Sequence, residues 1–280
     1  MVYFLSDAHL GSRVIQDPDA HQQRVVDLLR TMSKDATAIY LLGDMFDFWY
    51  EYIWHSRESL DDYERRTQGK TTFAPFLRCL KELTDRGISV HYFIGNHDIW
   101  TFGWLTRVTG VEVHRGPLDT VVNGKRILMA HGDGLVPDSF MRALYSDEPS
   151  VLSAKDKRRI RAFIWLRRFF HSRVPQLLYR LMPPVVGDGI GYTWAKNSRQ
   201  KELDHPYPYK GEQHEELVRY AKEKEQLSHH DYYIFGHRHI ELDLQLTRDA
   251  RILILGDMFK LWTYARMDDK GQLQLLNDEQ

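Results

Sequence analysis

Residues 38–47 read Ala-Ile-Tyr-Leu-Leu-Gly-Asp-Met-Phe-Asp. Five apolar residues run without alternation into a Gly-Asp pair, the pattern of a strand buried on both faces that ends in a loop. The pattern recurs on either side. Val2 to Leu5 runs into Ser6-Asp7, Val90 to Ile94 into Gly95-Asn96, and Ile127 to Ala130 into His131. Tyr232 to Phe235 runs into Gly236-His237, and Ile252 to Leu255 into Gly256-Asp257.

Helical periods lie between several of these runs. Within His21 to Met32, Val25, Leu28, Leu29 and Met32 fall at i, i+3, i+4 and i+7. Phe73 to Thr84 repeats this with Phe76, Leu77, Leu80 and Leu83, and Gly87 follows as a stop signal. Strands alternating with helices predict an α/β fold with both sheet faces covered. Ligand-binding groups then belong on loops at the carboxyl edge of the strands.

The chain has 280 residues, 42% hydrophobic and 28% charged, which suits one large domain over 1–280 and excludes disordered and fibrous classes. Lys plus Arg is 38 against 39 Asp plus Glu, so no global charge draws it to nucleic acid. A single cysteine, Cys79, rules out a disulfide within the chain and fits a reducing compartment. The start, Met-Val-Tyr-Phe-Leu-Ser-Asp, lacks a basic segment followed by a long apolar one, so no signal peptide is expected. No uninterrupted apolar run reaches about eighteen residues, so no membrane span is expected. A cytoplasmic place follows, with peripheral attachment to the inner membrane left open.

One region breaks the rhythm. From about Ser139 to Pro208 no strand-like run precedes a polar loop. Lys155 to Arg180 is dense in Arg and aromatics, with Phe163, Trp165, Phe169 and Phe170 among the cations and Asp156 the only acid. Residues 139–208 read as a helical cap inserted above the site. Its basic excess in a neutral protein favours an anionic partner such as a membrane surface; an amphipathic core helix with a solvated basic face is the plainer alternative.

Five short motifs follow the predicted strands: Asp7-Ala8-His9, Gly43-Asp44-Met45-Phe46-Asp47, Gly95-Asn96-His97-Asp98, His131-Gly132-Asp133 and Gly236-His237-Arg238-His239. Each alone is ordinary, since Gly-Asp is a turn pair and Gly-His-x-His suits a surface loop. Together, each at a strand end, they offer oxygen and imidazole donors of the kind that hold Mn²⁺, Fe²⁺ or Zn²⁺.

The order and spacing of these motifs resemble the calcineurin-like metallophosphoesterase superfamily, and every block from Asp7 to His239 matches. The resemblance implies two packed β-sheets flanked by helices and two divalent metal ions, with Mn²⁺ the first choice. One ion would take Asp7, His9, Asp44 and His239. The other would take Asp44, Asn96, His131 and His237, with Asp44 bridging. Such a pair, about 3.5–4 Å apart, activates a shared water and grips a phosphoryl oxygen. His97 is implied as an outer acid or phosphate contact, oriented by Asp98. Asp47 and Asp133 are expected as partners of ligand imidazoles.

A narrower resemblance lies in Tyr40 to Trp49, in His131-Gly132-Asp133-Gly134-Leu135 with Asp138 following, and in Ala195-Lys196-Asn197-Ser198. These are similar to the UDP-2,3-diacylglucosamine hydrolases of lipid A synthesis. That family cleaves a pyrophosphate to give UMP and 2,3-diacylglucosamine 1-phosphate. The likeness implies a lipid-linked nucleotide substrate, held by Asn197 and Ser198, with Arg199, Lys201 and Asp138 as further contacts. His97 stands where that family carries Arg, which leaves open a phosphodiesterase or phosphomonoesterase acting on another substrate. A specific nucleic-acid partner is not expected, because a capped apolar pocket differs from an open basic groove.

Overall fold

The computed structural model describes residues 1–69, 72–146, 153–170, 172–204, 208–209 and 211–278. Four parallel strands, β1 (Val2–Leu5), β2 (Ala38–Leu41), β3 (Ser89–Phe93) and β4 (Glu112–His114), form one side of the first sheet. Two antiparallel strands, β10 (Thr263–Met267) and β11 (Leu273–Asn277), extend it beyond β1. The second sheet has the order β5 (Leu118–Val122), β6 (Lys125–Ala130), β7 (Tyr232–Phe235), β9 (Arg251–Leu255), β8 (Glu241–Gln245), with β6, β7 and β9 parallel.

Strand alternation explains the layering. In β1, Val2 and Phe4 face the second sheet and pack with Ile127, Met129, Ile234 and Leu253. Tyr3 and Leu5 point the other way, into a core shared with α1 (Pro18–Met32) and α3 (Ala74–Asp85). The second sheet is covered outside by α9 (Glu216–Leu227), through Leu217, Val218 and Ala221. A strand in such a four-layer stack is buried on both faces, which is why Val-Tyr-Phe-Leu shows no polar alternation.

Both helices foreseen from the apolar spacing are present. The first begins three residues early, because Asp17 caps it by accepting from the Ala20 N–H (2.9 Å) and Pro18 fits the first turn. Two short helices, α2 (Leu60–Thr67) and α4 (Trp104–Thr109), flank α3. Residues 138–204 carry four more: α5 (Asp138–Tyr145), α6 (Ala154–Phe170), α7 (Arg173–Arg180) and α8 (Pro184–Asp204). They meet the body where Tyr179 stacks on Trp100 (4.6 Å), Tyr52 donates to Asp188 (2.7 Å) and Ala195 packs against Phe48. No described helix is long and apolar enough to cross a membrane.

Candidate metal centre

The seven expected donors sit just past the carboxyl ends of parallel strands: Asp7 and His9 after β1, Asp44 after β2, Asn96 after β3, His131 after β6, His237 and His239 after β7. Five of them hold the backbone in the left-handed region: Asp7 (φ 56°), His9 (47°), Asp44 (52°), His237 (68°) and His239 (48°). Elsewhere among the described residues only Asn123 and Trp262 do so without being glycine. Each such residue costs on the order of 1–3 kcal/mol and persists only where its surroundings fix it.

The fixing contacts are visible. The β1–β2 ladder continues through both loops, with the N–H groups of Asp7 and His9 donating to the carbonyls of Gly43 (3.1 Å) and Asp44 (3.0 Å). Asp7 Oδ2 accepts from the Ser6 hydroxyl (2.6 Å) and the His237 N–H (2.8 Å). Two glycines permit the approach. A Cβ on Gly95 would overlap the Asp44 carboxylate, and one on Gly236 would overlap the Ser6 hydroxyl.

The side chains converge as two sets. Asp7 Oδ1, His9 Nε2 and His239 Nε2 lie 3.0, 3.2 and 3.6 Å from one another. His131 Nε2 lies 3.3 Å from both Asp44 Oδ2 and Asn96 Oδ1, and His237 has a donor atom within 4.8 Å of those of Asp44 and His131. Asp44 Oδ2 is also 4.0 Å from His9 Nε2, so one carboxylate oxygen faces both sets. Donor atoms about 2.0–2.2 Å from a common ion stand about 2.8–3.6 Å apart between octahedral and tetrahedral angles, and the separations of 3.0–3.6 Å within each set fall in that span.

The hydrogen bonding makes the same point chemically. His131 Nδ1 donates to the Leu42 carbonyl (2.8 Å). Nε2 is then the atom turned toward the two oxygens. Burial opposes charge on the ring, but Asp44 holds it well above its ordinary range, so Nε2 carries a proton at the point where a metal cation would bind. Burial opposes charge on Asp44, yet His131 and His97 hold its carboxyl well below the usual carboxylate range. Burial also opposes charge on Asp7, and His239 and His131 overcome it. Burial, reinforced by His131, pushes His237 down to about 4, which leaves a neutral imidazole able to bind a metal.

The neighbours of the donors depart from expectation in one place. Asp98 was expected to orient His97, and its carboxylate is engaged by other groups. Its carboxylate accepts from the Tyr92 hydroxyl (2.5 Å) and the Gly95 N–H (2.5 Å), which ties down the loop itself. Burial, then the nearby Asp44 charge, raises Asp98 to about 7. His97 is held instead by donating Nδ1–H to the Asp47 carbonyl (2.6 Å), and its backbone N–H donates to Asp44 Oδ1 (2.8 Å). Asp47 Oδ1 lies 3.6 Å from His9 Nδ1. Asp133, expected beside an imidazole, is largely buried; against that burial His131, Arg167 of α6, which pairs with it, and His237 hold its carboxyl below its usual value. Asp138 begins α5 and pairs with Lys224 on α9 (3.3 Å). The side chains of Asn197, Ser198, Arg199 and Lys201 lie outside the described residues.

Three residues at the centre were not singled out from sequence. Phe259 packs its ring against His9 and His239 (centroids 5.8 and 5.5 Å), placed by the Asp257 carboxylate, which accepts from the N–H groups of residues 259–261. Trp194 of α8 packs on the His97 ring (4.9 Å). Ser6 fixes Asp7. Only Ser6 and Trp194 carried a signal, as neighbours of quoted motifs.

Two packed sheets under helices, with paired donor sets at their common carboxyl edge, define a calcineurin-like metallophosphoesterase. The chain is 34% identical over 280 residues to the UDP-2,3-diacylglucosamine hydrolase of Porphyromonas gingivalis (strain ATCC BAA-308 / W83), covering 95% of this chain and 94% of that one. With the enzyme of the same name from Haemophilus influenzae (strain ATCC 51907 / DSM 11121 / KW20 / Rd) it is 25% identical over 277 residues, covering 99% and 98%. No family model matches. An archaeal phosphodiesterase of known structure aligns over 98% of both chains, at a TM-score of 0.43 and 10% identity, too distant to bear on function. The chain belongs to the UDP-2,3-diacylglucosamine hydrolase family.

Proposed function

We propose that this chain hydrolyses the pyrophosphate bond of UDP-2,3-diacylglucosamine, releasing UMP and 2,3-diacylglucosamine 1-phosphate. The single observation that carries the chemistry is Asp44 Oδ2, shared between donor sets around His9 and His131. When bound, a pair of divalent ions, Mn²⁺ first, supplies an activated water and neutralises charge on the transferring phosphoryl group. The chain's own part is to hold the seven donors in place, five of them in strained backbone, and to present His97. With Nδ1 engaged by Asp47, a charged His97 ring offers its Nε2–H to a phosphate oxygen.

The lipid half of the reading rests on residues 138–204 as a cap. Thirteen of the eighteen exposed large apolar side chains among the described residues lie there, Trp165, Leu177 and Leu178 each more than half exposed. Such a concentration marks an apolar binding surface. A cleft of about 510 Å³ opens between this region and the body, lined by Arg13, Tyr52, Trp104, Val185 and Tyr192. It holds none of the seven donors, but its wall includes Gly11 and Phe48, two and one positions beyond His9 and Asp47. On α6, Lys155, Arg158, Arg159 and Arg168 are exposed beside Trp165 and Phe169, which suits a peripheral place on an anionic membrane surface.

The test is UMP release from UDP-2,3-diacylglucosamine in Mn²⁺, beside bis-p-nitrophenyl phosphate and single-stranded DNA. The lipid nucleotide is expected to have the highest kcat/KM. A preference for DNA or the aryl diester would replace this reading with a general phosphodiesterase.

A further inference from the structure

A third cluster of donors lies away from the catalytic edge, at the open side of the first sheet. His91 on β3 pairs in register with Glu112 on β4, and His114 follows two residues on. All three therefore point to the same face. It is the face turned toward the second sheet, since Tyr40 stacks on His91 (4.4 Å), Phe93 stacks on His114 (4.7 Å), and both rings belong to the core between the sheets. The two histidine side chains are 18% and 14% exposed, and that of Glu112 is 66% exposed. Two metal-binding imidazoles and a carboxylate thus stand at the mouth of an apolar layer, where the strand pattern calls for Val or Ile.

Their donor atoms are gathered at one point. His91 Nδ1 and His114 Nε2 are 3.0 Å apart, the Glu112 carboxylate is 3.3 Å from the first, and its other oxygen is 3.7 Å from the second. A tetrahedral zinc ion with bonds of about 2.0–2.2 Å holds its ligands about 3.3–3.6 Å apart, within that range. Burial first, moderated by Glu112, lowers both imidazoles below their ordinary range, so both are neutral and able to bind metal at neutral pH.

We propose that His91, Glu112 and His114 form a second, independent site for a transition-metal dication of the Zn²⁺ type, with water completing the coordination. Three protein ligands and an exposed carboxylate make it an exchangeable site. Its position gives it a structural role. It joins edge strand β4 to β3, which leads into the Asn96–His97 loop, and the Ile94 N–H already donates to the His114 carbonyl (3.0 Å).

The test is zinc stoichiometry by equilibrium dialysis and elemental analysis on the full chain, in wild type, His91→Ala and His114→Ala, with thermal unfolding recorded alongside. Wild type is expected to hold one equivalent more than either variant, and excess Zn²⁺ to raise its Tm by a margin both variants lack. Glu112→Gln, at an exposed position that leaves the fold alone, should weaken uptake of that equivalent about tenfold or more. Hydrolysis measured in Mn²⁺ should be unchanged in Glu112→Gln, which separates this site from the catalytic one. Equal zinc content in wild type and in every folded variant would overturn the proposal.

Discussion

Arg167 of α6 donates to the carboxylate of Asp133 and, from Nη2, to its backbone carbonyl (3.0 Å), two residues beyond His131. A helix from the basic segment is thereby bound to the loop that carries His131, one of the expected donors. Arg167→Ala should free α6 and leave a largely buried Asp133 without its cation. KM for the lipid nucleotide is expected to rise roughly tenfold while metal content stays within error, since Asp133 lies outside both donor sets. Steady-state kinetics with elemental analysis measure both.

Asp44→Ala removes the one oxygen facing both donor sets. Metal content should fall by at least one equivalent and activity by about a thousandfold or more, with circular dichroism unchanged. An active variant with full metal content would sink the shared-carboxylate reading.

His97→Ala spares every donor. Bound metal should be retained and kcat fall about 10²–10⁴-fold. If metal is lost in proportion to rate, His97 is itself a ligand.

Trp165 and Phe169 stack at 5.5 Å on the surface of α6 and lack deep packing. Replacing both with Ser removes apolar area from any acyl contact, so KM for the diacyl substrate should rise about tenfold or more. Hydrolysis of a small aryl diester should change less than twofold. Equal losses on both substrates would argue that α6 only supports the fold.

Gly95→Ala places a methyl group against the Asp44 carboxylate. Since the oxygen it meets, Oδ1, accepts from the His97 N–H (2.8 Å), moving it away would cost that hydrogen bond. Metal affinity should drop about 10–100-fold with the global fold preserved, as titration calorimetry can measure.

Six strands were legible because both their faces are buried and their apolar runs are unbroken. β4, β5, β8, β10 and β11 were not read. Glu241-Leu-Asp-Leu-Gln of β8 alternates with period two, a signal that short length and polar content obscured. Helix cores were plain from spacing, but the start of α1 depended on the Asp17 cap. At the site, the donor types were legible because each motif is local. Their supports were not: Asp98 turns to Tyr92 and Gly95, and Phe259 arrives from a loop with no motif of its own.

The sequence by itself determined which residues end each buried strand and that those residues are Asp, Asn and His, because burial on two faces and turn chemistry are properties of a few neighbouring positions. Only the tertiary structure decided who meets whom. His9 and His239 are 230 positions apart and end with ring nitrogens 3.2 Å from each other. That contact follows from sheet order and strand register, which depend on the packing of the whole chain and are written in no local stretch of it.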